Sequence, residues 1–413
     1  MNRIGAMACG LLLLAPTAAS PDDIVVQPST GDAFVVKDSA GATERLRVDE
    51  ATGDVSRNGL LFLHTRGNAS TFVGTNSGAS NTGFANVSLG SSAMADITTG
   101  TQNTAVGVTS LGNNTTGSNN SAVGVGALQA NVAGSNNAAF GLSALLNNTA
   151  SNNTAVGALA LLANTTGSQN VAVGLQALDA NTTGNWSVAV GSQALSANTT
   201  SVYNVAVGKS ALALCTTSGN VAVGGLALSQ MSGGLQGSNT AVGFNALGTL
   251  PSGDDNIAIG NVAGYDLVQG SNNIYLGNRG NSFAPGQSIT EWDTIRIGDP
   301  TRHDETYIAG IQGTTVSGSA VHVAFGGKLG VLTSSRRYKR DIEPLDPDAA
   351  RVQRLRPVSF RYRDEVVGAG NASLEYGLIA EEVADVAPEL VVLGDDGRPQ
   401  SVRYHLLTPL LLA

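Results

Sequence analysis

The segment Thr333–Ile342 (TSSRRYKRDI) sets two serines directly before Arg336, Arg337, Lys339 and Arg340. A serine hydroxyl is a weak nucleophile until a base removes its proton. A lysine can act as that base only when neutral, a form that burial and neighbouring cations both favour. Ser334 and Lys339 therefore make a candidate nucleophile and base, with Ser335 as a rival nucleophile. Taken alone, the same residues also describe a solvated basic turn. The preceding chain is very different. Between Thr101 and Leu276 the charged residues are only Asp179, Lys209, Asp254, Asp255 and Asp266.

Other chemistries find little support. The stretch Ala324–Gly330 (AFGGKLG) lacks the first glycine and the Ser/Thr of a phosphate-binding loop, and no calcium-binding GGxGxD repeat occurs. His64, His303, His322 and His405 are scattered along the chain, so no metal site is expected, and no cofactor. The net charge of −9 disfavours nucleic acid as a partner.

The elements that must position the serine and lysine divide into five expected regions. Residues 1–19 read as a signal peptide: Arg3 is followed by the apolar Gly5–Pro16, too short to span a bilayer, and then by small residues near Ala19. The expected location is thus secreted or cell-surface, with no stable membrane span. Cys9 would leave with the signal, so Cys215 is expected to be a small core residue and not half of an intrachain disulfide. Residues 20–66 carry strand-like runs (DIVVQ, AFVVKD) broken by turns and read as a β cap.

Residues 67–300 are periodic. Glycines of AVG-like tetrads recur at Gly74, Gly90, Gly107, Gly124 and onward to Gly277, spaced 16 or 17 apart except for 19 between Gly224 and Gly243. One unit is Asn170–Gly184, NVAVGLQALDANTTG. Self-similarity at a fixed short period marks a solenoid, and the alternating tetrad is a short strand. The fold class expected is mainly β: a parallel β-solenoid or β-roll of about 17-residue coils, trimeric, with a small α+β C-terminal domain. Asn precedes the glycine by four at Asn103, Asn120, Asn137, Asn153, Asn170 and most later units, which predicts an asparagine ladder. Thirteen rungs at a strand spacing of about 4.8 Å would extend roughly 60 Å. Ala and Val are expected inside so thin a coil, with the Leu side of each unit buried by self-association. No residue of the repeat stands out as a pocket, so a cell-surface or glycan ligand of the coils is left unspecified.

The tract Gly67–Gly277 resembles the head repeats of trimeric surface adhesins, a left-handed β-roll with AVG- or AIG-like tetrads, although those units are commonly shorter. Residues 301–333 read as a β neck. From Ser334 the composition turns ordinary and the chain resembles the intramolecular chaperone domain of phage tailspikes, endosialidases and tail fibres. The matching residues are Ser334, Arg337, Lys339, Asp341 and Ile342, then Ser359–Tyr362 (SFRY), Tyr376–Val383 (YGLIAEEV), Pro388–Val391 and VRYHLLTPLL. Residues 334–413 are accordingly expected to be an intramolecular chaperone and autoprotease. The resemblance implies a homotrimer and a single self-inflicted cut at Thr333–Ser334, with Ser334 as nucleophile and Lys339 as base. Ser335 stands where the family usually has Asp, and the long trimeric helix that usually follows the region of Tyr404 is not in this sequence, which ends at Ala413. The rival readings are a structural adhesin whose C-terminal domain only trimerises, and a phage tail-fibre-like protein. Glu381 and Glu382 read as a solvated face, not a catalytic pair.

Overall fold

The computed structural model describes residues 25–28, 33–37, 44–49, 52–58, 60–66, 68–233, 237–280, 287–299, 301–303, 305–308, 321–323, 328–331, 334–345, 347–363, 365, 373–394 and 396–412. The expected signal peptide lies outside them. The chain forms two compact units, Met1–Gln312 and Gly313–Ala413.

The first unit begins with an antiparallel meander of strands Val25–Pro28, Ala33–Lys37, Glu44–Asp49, Val55–Arg57 and Leu60–His64. Its last strand pairs antiparallel with Thr71–Val73, the first strand of the solenoid. From there fourteen three-residue strands stack in parallel register, ending with Ile257–Ile259, Ile274–Leu276 and Ile295–Ile297. The final rung, closed by Gly298, lies beyond the thirteen glycines recognised from the repeat.

One coil shows why these residues wind this way. In Val171–Val173 only the middle residue, Ala172, points inward, as strand alternation requires. Gly174 follows at φ +136°, pressed against the next coil: a Cβ there would stand 2.6 Å from the carbonyl carbon of Gly191. Left-handed bends at Gln176 (φ +54°) and Leu178 (φ +55°) then turn both Ala177 and Leu178 into the coil. The interior is therefore Ala, Ala-Leu and Asn. This corrects the expected Ala–Val interior: the tetrad valines face outward, and each leucine is buried within its own chain. A positive φ strains a bulky residue, and complete burial of the leucine offsets that strain.

Two asparagine ladders run through the coils. In the first, Asn170 Nδ2 donates to the Gly184 carbonyl at 2.8 Å, while Asn170 Oδ1 accepts from the Ser187 backbone amide at 3.0 Å. Asn86 belongs to this column, and Ser187 interrupts it. The second ladder, Asn114, Asn131, Asn148, Asn164, Asn181 and Asn198, comes from the turn of each unit that reads NTT in four of these six (NVA at Asn131, NTA at Asn148); Asn181 Nδ2 donates to Asn164 Oδ1 at 2.7 Å. Beyond Asn198 that column turns apolar through Cys215, Met231 and Leu250. Burial pushes the Cys215 thiol pKa up, in keeping with a core role. At the far end Tyr275, the largest buried side chain, donates to the Glu291 carboxylate, which Arg296 also holds (Nη2–Oε2 2.8 Å).

The second unit is smaller. A hairpin (His322–Val323 with Leu329–Gly330) precedes a 3-10 turn at Arg336–Tyr338, another 3-10 segment at Pro347–Arg354, and paired strands Val358–Phe360 and Glu375–Gly377. Then come helix Ala380–Val386, hairpin Val391–Leu393 with Pro399–Val402, and helix Leu407–Leu411. Val352, Val383, Ala387, Leu390, Val391 and Val402 form its core, with Leu407 and Leu410 packed on it.

Candidate active site

The 3-10 turn does the positioning. The Ser335 carbonyl accepts from the Tyr338 amide at 3.0 Å, and the Arg336 carbonyl accepts from Lys339 at 3.1 Å. This folds a five-residue separation back on itself, and Lys339 Nζ comes to donate to Ser334 Oγ at 3.1 Å. The Ser335 hydroxyl makes no capping bond to the turn that it precedes. Distance thus pairs the lysine with Ser334. Thr333, the other half of the expected scissile bond, lies outside the described residues.

The surroundings are open. Ser334, Ser335 and the whole turn are exposed in the single chain. Arg340 faces Asp341 at 3.6 Å, and the Arg337 guanidinium lies over the Tyr338 ring, 4.7 Å from its centroid. In the geometry observed, the ammonium donates to the hydroxyl. To act as a base the lysine must accept the hydroxyl proton instead, which requires removal of its own proton and so withdrawal of the site from water.

The remaining family-like segments build the scaffold. SFRY and the start of YGLIAEEV are the two paired strands, and the Tyr404 hydroxyl accepts the Leu378 amide at 2.9 Å. Gly377 is needed for that approach, since a Cβ there would meet the Tyr404 oxygen at 2.8 Å. Arg356 holds Glu382 (Nε–Oε2 3.1 Å); its hydrogen bond keeps the Glu382 carboxyl below the usual range. Glu382 is thus a partner in a surface ion pair.

One association was not readable from the sequence. His322 and His405, 83 positions apart, meet edge to face with centroids 5.3 Å apart, beside a cavity of about 310 Å³ also lined by Lys328 and Leu329. No periodicity links them; only the fold does. Among the described residues, no three His, Cys, Asp or Glu side chains gather as a metal site.

The family model described as the chaperone of endosialidase matches residues 334–392. The match starts at Ser334 itself and stops before VRYHLLTPLL, although Val402 and Leu407 of that tail pack into the same core. No curated protein and no solved structure matches the chain. Together, the solenoid and this segment fit a tail-fibre-like protein with a C-terminal chaperone domain.

Proposed function

We propose that the chain is an exported, homotrimeric fibre or adhesin-like protein whose C-terminal domain drives trimer folding and then cuts its own chain at Thr333–Ser334. The observation that carries this reading is the 3.1 Å approach of Lys339 to Ser334, the residue at which the family match begins. Export is supported by the Arg3-led apolar start of the chain. Trimerisation is supported by exposed apolar surface on both units. In the solenoid the outward column of Val123, Phe140, Val156, Val207 and Val223 repeats from rung to rung. In the second unit Tyr376 is 79% and Leu412 is 82% exposed. Contiguous apolar patches of this kind mark association surfaces.

The chemistry follows from the pair. Closing three chains around the turn desolvates Lys339, which gives up its proton and then takes that of the Ser334 hydroxyl. Oγ attacks the Thr333 carbonyl carbon, the C–N bond breaks, and Lys339 returns the proton to the leaving Ser334 nitrogen. Water then hydrolyses the Thr333 ester to a carboxylate and restores the hydroxyl. Each chain is cut once.

Mass spectrometry of the assembled protein tests this reading. The wild type is expected to yield a C-terminal fragment starting at Ser334. Ser334→Ala, Lys339→Ala and Lys339→Arg are expected to stay intact, since a guanidinium keeps its proton; Ser335→Ala should only slow the cut. A fragment beginning at Ser335, or one persisting in Lys339→Ala, rejects the pair as assigned. An intact wild-type trimer favours the non-cleaving structural reading.

A further inference from the structure

The chain contains two tryptophans, and both are exposed on the same corner of the solenoid coil, just ahead of the buried asparagine column: Trp186 by 46% and Trp292 by 54%. The column that Trp186 occupies carries Asn119, Asn136, Asn152 and Gln169 on earlier rungs, all with φ near +60°. Small amides suit that left-handed backbone. Trp186 (φ +55°) and, on the next rung, Tyr203 (φ +60°) hold it with bulky rings. Their rings stack on each other, centroids 5.0 Å apart and 5° from parallel, while Tyr203 stays 57% exposed. The coil does not need aromatics here, because those earlier rungs hold the position with amides and the later ones with Gly219, Ser238, Asp255 and Asn272. Bulky rings kept at a left-handed position that small or polar residues fill on other rungs, and left half exposed, point to a role outside the coil.

Six rungs further along the same corner, an open groove of about 320 Å³ crosses three successive coils. Trp292 forms one wall. Ser252, Asp254, Gln269 and Ser271 line the rest, over Gly253 and Gly270. An indole face with hydroxyl, amide and carboxylate groups around it matches a sugar ring, whose C–H face stacks while its rim of hydroxyls hydrogen-bonds. At about 4.8 Å per rung the two indoles stand roughly 29 Å apart. The charges on this corner are the carboxylates Asp254, Asp255 and Asp293, with no Lys or Arg in either column, so an acidic glycan would be repelled. A second copy of the chain fits less well. The aromatics interrupt columns of Ser and Asn, whereas the continuous apolar column lies on the strands.

We propose that this corner binds an uncharged polysaccharide lying along the coil axis, with the Trp292 groove as the main subsite and the Trp186–Tyr203 stack as a second. The proposal stands on the first unit alone and is independent of cleavage, so Ser334→Ala should bind as the wild type does.

Tryptophan fluorescence of the full chain reads the site directly, because both indoles are on it. The probes are soluble glucan, galactan, mannan and N-acetylhexosamine oligomers, with polysialic acid as the anionic comparison. A saturable change with at least one neutral oligomer, and none with polysialic acid, is expected. By calorimetry, Trp292→Ser should weaken binding about tenfold or more, and Trp186→Asn by less. Both variants place on their rung the residue type that other rungs carry, so neither should lower the melting temperature. The proposal is overturned if no neutral oligomer gives a saturable change, if polysialic acid binds more tightly, or if the variants bind unchanged. It is also overturned if the free protein already emits as buried indole and shifts to the red on dilution, which would mean that another copy covers the corner.

Discussion

The solenoid and the C-terminal unit solve the problem of burial in opposite ways. Among the described residues, the solenoid core is one continuous cluster of 37 buried side chains, and neighbouring coils pair most of the ladder asparagines, Asn131 Oδ1 being an exception. Among its described residues the C-terminal unit has a core of six buried hydrophobic residues and leaves Tyr338, Ile342, Tyr376 and Leu412 exposed. The first is expensive to start and self-sufficient once wound, because parallel pairing closes non-local loops before it gains contacts. The second has a core too thin to be finished alone. Under the proposed function this contrast becomes a division of labour: the incomplete unit would gather chains, and the gathered chains would wind the complete one. A cut between Thr333 and Ser334, inside the second unit, would then part its Ser334–Ala413 portion from the solenoid when that helper is no longer needed.

The largest effect should come from removing the helper before folding. Expression without Ser334–Ala413 is expected to give aggregated or monomeric repeats on sedimentation, whereas solenoids assembled with the domain and then severed from it should stay folded. Soluble trimers from the shortened gene would erase the contrast. Next in size are core truncations. Leu178→Ala should cost about 3 kcal/mol in urea titration, yet leave neighbouring coils wound. Leu390→Ala, a similar loss from a core of six, should unfold its whole unit and abolish trimers. Asn170→Leu leaves the Ser187 amide unpaired, while the Gly184 carbonyl keeps Asn181 as its donor, and should cost about 1–3 kcal/mol. Ser187→Asn, which completes the ladder, should stabilise by about 1 kcal/mol.

The smallest effect is on pH. Burial alone would raise the Glu291 pKa, but hydrogen bonds from Arg296 and Tyr275 outweigh it and hold the carboxyl below its ordinary range. A depressed carboxyl stabilises the fold above its unfolded-state pKa, and that contribution is lost as pH falls through the folded value. Thermal melts from pH 6 down to pH 3 should show acid softening at the far end of the solenoid, and Glu291→Gln should flatten that slope. An unchanged slope would remove Glu291 from the account.

The sequence exposed the two regions unequally. Tetrads and the Asn170 column were legible because alternation and a fixed period translate directly into a stacked strand. The leucines were misread because left-handed bends at Gln176 and Leu178 place consecutive residues on the same side, which no period-two pattern predicts. The second ladder hid in NTT, NTA and NVA segments that look like ordinary turns. The last rung hid behind a longer spacing, from Gly277 to Gly298. In the C-terminal unit, residue types and order pointed to Ser334 and Lys339, but only the 3-10 turn shows which serine the lysine meets. The corner carrying Trp186 and Trp292 was invisible, since Tyr203 stacks on Trp186 across a gap of 17 positions and the groove residues converge from three coils.

The central claim is that assembly supplies what the single chain lacks, a Lys339 removed from water. It is tested most directly by following the cut fraction and the trimer fraction together, by denaturing electrophoresis and sedimentation, across a dilution series of freshly refolded Ser335→Ala, whose slower cutting resolves the two events. The account predicts that the Ser334 fragment appears only after trimers do and vanishes at concentrations where chains stay single. Cleavage of monomers at the rate seen in trimers, or trimers that never cut, would contradict it.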